Sequence, residues 1–447
     1  MSSTQPQQES STPPRDVIRV GMLGFGTVGM GAYRMLQDNK EAIARKVGAP
    51  IEVTRIGIRD CEKARIAPRE LLTNDLNAIV DDPSIDVILE LIGGIEPAGA
   101  LIERALQNGK HVVTANKELI AKQGARLVEL AARERLDLHF EAAVGGGIPL
   151  IQPLKHQLAG NDVIRLMGIV NGTTNVILTK MTQDGEEFED ALSEAQAKGY
   201  AEADPSADVD GYDAQYKMAI LASVAFGEEV SPDAVYREGI RNITKRDIAY
   251  ADTLGYVIKL LGIAETRPDG LLARVHPTFL PKDHPLASVN GVYNAVWVQG
   301  DFVGDVMFSG RGAGSDPTGS AVVGDLIDVS RNIRLGGAGN ALPYAGVAKT
   351  LSIDENMTRF YFRVTVTDKP KVLGMIAMTL GDFDVSLAAM EMRVLDASRN
   401  LGEIVFLTHP CREANFRAAL DAIKPMETIE EIVNWFRVEG ASLVVGA

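Results

Sequence analysis

The sequence has little cysteine: two residues, Cys61 and Cys411, 350 positions apart in a chain of 447. That excludes a disulfide framework and any Cys-x-x-Cys metal spacing, and it suits a reducing compartment, the cytoplasm. No run of about 18 apolar residues occurs, so no membrane-spanning helix is expected. Basic residues are in deficit, 45 against 60 acidic, for a formal net charge of −15. Such a balance argues against general binding to a nucleic-acid backbone. Aromatic residues are sparse at 6%, but 46% apolar and 23% charged residues are ordinary for a globular chain. The first 15 residues, MSSTQPQQESSTPPR, lack the apolar segment of a signal peptide, and their Ser, Gln and Pro content reads as a disordered tail. Glycine is what the chain has in excess, 43 residues gathered in clusters. At about 150 residues per domain, the length predicts about three domains.

Five apolar runs in the first third read as strands: 17–24, 51–60, 85–93, 110–116 and 136–144, with helical patterns between them. Strands alternating with helices predict a parallel, doubly wound α/β sheet over residues 16–149. From residue 150 the pattern changes to long helical stretches (187–199, 211–227, 243–263) among strand-like runs at 163–170, 271–279 and 292–300. This reads as an α+β domain over 150–309. A glycine-rich stretch at 309–320 then leads into a helix. Beyond residue 357 the order strand, helix, strand, strand, helix, strand predicts a ferredoxin-like βαββαβ unit to the C-terminus, residue 447.

Gly24-Phe25-Gly26-Thr27-Val28-Gly29 follows the first strand and opens the first helix. In that context the first glycine makes the tight turn, the second lets backbone approach a pyrophosphate, and the third lets helix and strand pack closely. The motif predicts a dinucleotide on the helix N-terminus. The second strand ends in Arg59-Asp60. An acid there accepts from the ribose of NAD, whereas arginine favours the 2′-phosphate of NADP. Either residue can face the ribose by register; Arg59 tilts the reading to NADP.

Four further stretches can carry chemistry. Thr114-Ala115-Asn116-Lys117 lies where a parallel sheet presents its ligands, although Lys117 taken alone reads sooner as a surface lysine at a helix start. Glu141 to Pro149 contains three consecutive glycines, whose carbonyls and amides can coordinate a hard cation or border a nicotinamide; the stretch can equally be a hinge between the first two domains. Asn171-Gly172-Thr173-Thr174-Asn175 offers hydroxyls and amides to a carboxylate, or simply caps a helix. Between Glu202 and Asp213 five carboxylates fall in 12 residues, and Lys217 follows. Asp213 and Lys217, at i and i+4, share a helix face. Spacing permits a surface ion pair below a capping box formed by Asp210 and Asp213. It equally permits a base, Lys217, oriented by Asp213 for taking the proton of an alcohol.

The stretch Ala195-x3-Gly199-Tyr200-Ala201-x2-Asp204-Pro205-x2-Asp208-Val209-x-Gly211-x-Asp213-x3-Lys217 resembles the homoserine dehydrogenase family, as do GFGTVG, TANK, EAAVGGGIP, NGTTN and residues 310–318, in that order. The resemblance covers residues 16–445. It implies NAD(P)-dependent interconversion of L-homoserine and L-aspartate 4-semialdehyde, in the synthesis of threonine, methionine and isoleucine. It further implies Lys217 and Lys117 as acid/base and oxygen-polarising groups. Asp213, Glu202 and Thr174 are implied in substrate binding. Gly24, Gly26, Thr27, Val28, Gly29, Arg59, Thr114, Lys117 and Gly314 are implied in cofactor binding. Glu141, Val144, Gly146 and Ile148 match a monovalent-cation loop, with Na+ the expected ion. The first domain is expected to be completed by residues 310–350, and the chain to form a homodimer or higher oligomer.

Residues 358–440 resemble an ACT module, which implies an amino-acid effector, threonine. Such modules read Asp-x-Pro-Gly after the first strand; this chain reads Asp368-Lys369-Pro370-Lys371. Arg311 and Asp316 likewise stand where the family has proline and an apolar residue. The alternative reading, a catalytically silent nucleotide and amino-acid sensor, sits poorly with the presence of Lys117, Lys217 and Asp213 together.

Overall fold

The computed structural model describes residues 15–61, 66–337, 339 and 341–440. The tail expected over residues 1–15 falls outside them except Arg15, whose guanidinium pairs with Asp86 at 3.3 Å. Residues 441–447 also lie outside. The chain divides into two compact units, one of residues up to Lys155 with Arg311–Ala345, the other of His156–Gly310 with the chain from Gly346.

The first unit is built on strands β1 (Ile18–Leu23), β2 (Ile51–Gly57), β3 (Leu72–Thr73), β4 (Val87–Glu90), β5 (His111–Thr114) and β6 (Leu138–His139). They form a sheet of order β3-β2-β1-β4-β5-β6, parallel at each pairing. Helices α1 (Thr27–Asp38), α2 (Lys40–Val47), α3 (Leu76–Asp81), α4 (Ala98–Gln107), α5 (Lys117–Glu134) and α6 (Ile151–Lys155) intervene. The five expected strands are present but shorter, and β3 escaped notice because two residues carry no periodicity. The fifth strand, expected over 136–144, stops at His139 and a 3-10 turn takes over at Glu141.

Helix α12 (Ser315–Arg334) belongs to this unit. Its Val322, Val323, Leu326 and Val329 share one buried core with Ile18, Val20 and Met22 of β1. A Cβ placed on Gly319 of α12 would come within 2.6 Å of the Ala32 amide nitrogen in α1. The two helices touch backbone to backbone, and only glycine fits at that crossing.

The second unit carries α7 (Gly172–Gln183), α8 (Phe188–Ala197), α9 (Ser206–Val209), α10 (Tyr212–Phe226), α11 (Lys245–Thr253), α13 (Val372–Asp382) and α14 (Glu413–Ile423). Its main strands are β7 (Val163–Ile169), β9 (Tyr256–Arg267), β10 (Gly270–Pro281), β11 (Tyr293–Gly300), β12 (Gly304–Arg311), β13 (Met357–Thr367), β14 (Leu387–Asp396), β15 (Leu401–Thr408) and β17 (Ile429–Val438). Two short strands, β8 (Tyr236–Arg237) and β16 (Cys411–Arg412), pair with β10 and β13. The sheet runs β12-β11-β7-β9-β10-β17-β13-β15-β14. The helix expected over 243–263 is a helix only to Thr253; β9 begins at Tyr256. Its apolar run YVIKLLGIA satisfies both periods, and Gly255, at φ +86°, ends the helical path.

The last four long strands lie in the order β17-β13-β15-β14, with α13 and α14 packed on one face over Phe360, Phe362, Ile404 and Phe406. The opposite face is covered too. Tyr361 stacks on Phe279 of β10 at 4.5 Å between ring centroids. Arg363 donates to Asp247 of α11 and to Glu403. β17 also pairs in parallel with β10, so this segment extends the larger sheet.

Candidate functional site

In the first unit the glycine loop has the geometry its motif implies. Gly24 takes φ +105°, and a Cβ on it would meet the Leu91 carbonyl at 2.6 Å, so the turn requires glycine. Gly29 lies against the Gly24 carbonyl, whereas nothing stands within 4 Å of a Cβ on Gly26. Gly26 precedes α1 and is exposed, as is Thr27, with Val28 half-buried behind. The start of α12 adjoins that of α1: Ser315 Oγ donates to the Thr27 carbonyl at 2.8 Å. Gly314, exposed, is the residue before α12. Two helix N-termini thus meet at one loop, a place that favours an anion. Asp316 in the first turn of α12 is paired with Arg34 of α1, which offsets its charge there.

The loops after the other strands are fixed by buried polar groups. Glu90, fully buried at the end of β4, accepts from the amides of Ile92 and Gly93 and from Thr114 Oγ1 at 2.6 Å. The Thr114 hydroxyl is therefore engaged within the protein and in turn accepts from the Asn116 amide. Asn116 caps α5 by accepting from the Leu119 amide and donates to the Gly94 carbonyl at 2.6 Å. Lys117, half-buried, is the first residue of that helix. Arg59 and Asp60 are both exposed just beyond β2.

The turn at Glu141 to Ile148 is buried except at Gly147. Both carboxylate oxygens of Glu141 accept backbone amides, those of Leu150, Ile151 and Gln152, at 2.5–2.8 Å. Burial pushes this carboxyl upward against the three donors that lower it. Its side chain is committed to opening α6. A cation held by Glu141, Val144, Gly146 and Ile148 would use backbone carbonyls, an oxygen set that suits a hard ion. The described residues contain no group of three or more His, Cys, Asp or Glu side chains able to hold a metal.

The second unit brings together Lys217, Asp213, Asn171 and Asp208. Lys217 Nζ donates to Asp213 Oδ2 at 2.6 Å and to the Val170 carbonyl at 2.8 Å. Asn171 Nδ2 donates to the same Asp213 oxygen at 2.9 Å and to Asp208 Oδ1 at 2.6 Å. The side chains of Lys217 and Asp213 are only 12% and 5% exposed, so the surface ion pair allowed by spacing is not what forms. Nor does the capping box: Gly211 precedes α10 in a left-handed conformation without a side-chain cap, and Asp210 pairs with Arg241. Asp213 is thereby left for Lys217 and Asn171.

Asn171 does both things its motif allowed. Its Oδ1 accepts the Thr174 amide and hydroxyl at 2.9 Å, capping α7, while its Nδ2 ties the two carboxylates. Thr174 is buried beneath it. Glu202 is exposed in the loop before α9. Sequence reasoning missed the bridging role of Asn171, the part of Asp208 and the anchor Glu90. The first two lay inside quoted motifs; nothing local marked Glu90.

The order of the first sheet, its glycine loop at two helix N-termini, and a half-buried lysine–carboxylate cluster elsewhere in the chain define the class: nicotinamide-nucleotide-dependent dehydrogenases. Two family models match the sequence, one described as the NAD-binding domain of homoserine dehydrogenase over residues 24–141, the other as homoserine dehydrogenase over 149–327. A homoserine dehydrogenase of Synechocystis is 47% identical, over 94% of this chain and 99% of its own. The crystal structure of one from Thiobacillus denitrificans is 42% identical with a TM-score of 0.90, covering 95% of this chain and 98% of that one. A hyperthermophilic archaeal homoserine dehydrogenase in complex with NADPH is 30% identical with a TM-score of 0.61, covering 70% of this chain and 97% of that one. The chain belongs to the homoserine dehydrogenase family.

Proposed function

We infer that this protein is an NAD(P)-dependent homoserine dehydrogenase, interconverting L-homoserine and L-aspartate 4-semialdehyde. The observation that carries the reading is the hydrogen-bonded Lys217–Asp213–Asn171–Asp208 cluster, half-buried at Lys217 and Asp208, within a chain that also holds the glycine loop. The bound nicotinamide nucleotide supplies the hydride in one direction and accepts it in the other. The protein's own work is to hold the substrate and manage one proton. Lys217 has its ammonium directed by Asp213 and the Val170 carbonyl. As an ammonium it gives a proton to the oxygen of the reduced aldehyde; as an amine it takes the proton of the alcohol. Asn171 keeps the Asp208 and Asp213 carboxylates in register, and carboxylates are suited to the substrate ammonium. Asp213 and Glu202 are assigned to that ammonium, and Lys117 to polarising the reacting oxygen.

Gly24, Gly26, Thr27, Val28, Gly29, Thr114 and Gly314 are assigned to the cofactor, with Arg59 directing preference to NADP. Because the Thr114 hydroxyl is engaged with Glu90, backbone at that position is the group left for a ligand. The 141–148 carbonyls are assigned to a monovalent cation such as Na+. Residues 357–440 are read as an ACT module, supported by the strand order β17-β13-β15-β14 under two helices. Threonine is its expected effector. The protein is expected to be a cytoplasmic homo-oligomer; no helix among the described residues is long and apolar enough to cross a membrane.

One steady-state assay tests these together: aspartate semialdehyde with NADPH and NADH separately, with and without Na+ and threonine. Turnover faster with NADPH, raised by Na+ and lowered by threonine, is the expected outcome. Absence of nucleotide oxidation with either cofactor rejects the enzyme and favours the silent sensor.

A further inference from the structure

Helix α10 carries both Asp213 and Lys217, yet its own sequence does little to fix where it starts. Gly211 precedes it at φ +83°, without a side-chain cap. A left-handed glycine is a soft joint, because no Cβ restricts it. The joint sits inside the cluster. Asp208 lies in α9, Asp210 and Gly211 make the turn, and Asp213 lies in the first turn of α10. Asn171 ties Asp208 to Asp213, so the turn between them sets the spacing that it bridges.

Residues 237–241 are laid against that turn. The Val209 carbonyl accepts the Ile240 amide at 2.8 Å. A Cβ placed on Gly239 would come within 2.6 Å of the Asp210 Cα, so backbone meets backbone there. Arg241 takes the Asp210 carboxylate. Arg237 grips the main chain itself: its Nη1 donates to the Asp210 carbonyl, and its guanidinium lies over the Tyr212 ring, 3.5 Å from the centroid. These two contacts fall on either side of Gly211. A planar guanidinium can stack and donate at once, which an ammonium cannot.

The brace is itself anchored. In β8, Arg237 is paired with Val275 of β10, and the Glu238 amide donates to the Val275 carbonyl at 2.8 Å. The neighbours of Arg237 are held by the C-terminal segment. Arg437 of β17 donates to both Glu238 oxygens at 3.0 and 3.1 Å, and Arg417 of α14 donates to the Tyr236 hydroxyl at 2.7 Å.

We propose that Arg237 is a positioning residue for the reaction. By holding the Asp210 carbonyl and the Tyr212 ring it fixes the turn into α10, and with it the Asp213 carboxylate that orients Lys217. This rests on the functional reading above and adds to it the means by which the cluster keeps its spacing.

The test uses the full chain with Arg237→Met and Arg237→Lys, each also combined with Lys217→Ala. Methionine keeps an unbranched stem and loses both contacts; lysine keeps a charged donor and loses the planar stack. In Arg237→Met, kcat for homoserine oxidation is expected to fall about tenfold to a hundredfold, as a small misplacement of a reacting group does. Arg237→Lys recovers part of that loss. The Michaelis constant for the nucleotide stays within about twofold. In the Lys217→Ala background, assayed at high enzyme concentration, Arg237→Met lowers the residual rate by less than about twofold, because its effect passes through Lys217. The same factor in both backgrounds overturns the proposal and marks a merely structural role. A kcat within about twofold of wild type in Arg237→Met overturns it too. Should the methionine variant not fold, the lysine variant in the two backgrounds decides by the same criteria. Failure of the wild type to turn over homoserine with either nucleotide rejects the underlying reading instead, and is seen before any variant is made.

Discussion

Lys217 and Lys371 show how little a residue's identity says before its backbone and partners are known. By spacing alone Lys217 is equally half of a solvent-exposed helix pair or a base oriented by Asp213. In the fold its ammonium is drawn inward by Asp213 and the Val170 carbonyl, and only 12% of the side chain stays exposed. Replacing it with alanine is expected to lower kcat by a factor of about 10² to 10⁴. NADPH affinity, read by fluorescence titration, stays near the wild-type value. Lys371 is different: it precedes α13 at φ +77°, a left-handed conformation that costs a side-chain-bearing residue about 1–2 kcal/mol. The position where glycine was expected from the module's pattern has kept glycine's backbone geometry. Lys371→Gly is expected to stabilise the protein by about 0.5–1 kcal/mol, measured as a higher urea midpoint with unchanged slope.

At the scale of elements, glycine clusters have two physical uses, and sequence alone merges them. Gly26 faces open space, which suits a ligand, whereas Gly319 is pressed against α1 at Gly31 and Ala32. Gly319→Ala is expected to cost about 1–3 kcal/mol through overpacking, seen as a lower thermal midpoint. An unchanged midpoint would mean that the two helices can separate freely. The start of α10 makes a related point. Two aspartates at i and i+3 look like a cap, yet Gly211 opens the helix and Asp210 is taken by Arg241. Local rules predicted the helix and its bounds well; they could not say which carboxylate a distant arginine would claim.

At the scale of the whole molecule, buried charge links segments far apart in sequence. In the second unit Glu265 of β9 meets Arg274 of β10 at 2.8 Å and Arg165 of β7 at 3.1 Å, and Arg165 reaches Glu439 at 2.7 Å. Burial alone would raise the Glu265 carboxyl, but Arg274 and Arg165, with Arg267, outweigh it and hold it at about 2. A carboxyl lowered by folding contributes stability that is complete above its unfolded value of 4.5 and fades as pH falls toward about 2. Glu265→Gln is expected to cost about 3–5 kcal/mol at neutral pH, because it strands buried arginines. The gap between wild type and variant should narrow as pH drops from 4.5 to 2. Urea unfolding across that range checks it, and a gap that widens with acid would refute the sign.

The sequence by itself determined the elements whose rules are local: the order of strands and helices in the first unit, the glycine loop that opens α1, the acidic stretch ending in Lys217, and the family. These are set by periodicity, turn chemistry and contiguous motifs, all readable within a few residues. Tertiary structure alone decided where those elements meet. It pressed Gly319 of α12 against α1, spent the Thr114 hydroxyl on Glu90, and gave Asn171 two carboxylates to bridge. It also set Arg237 against the turn that joins those carboxylates. Each of those outcomes depends on groups separated by tens or hundreds of residues, and a pattern along the chain does not encode distance across it.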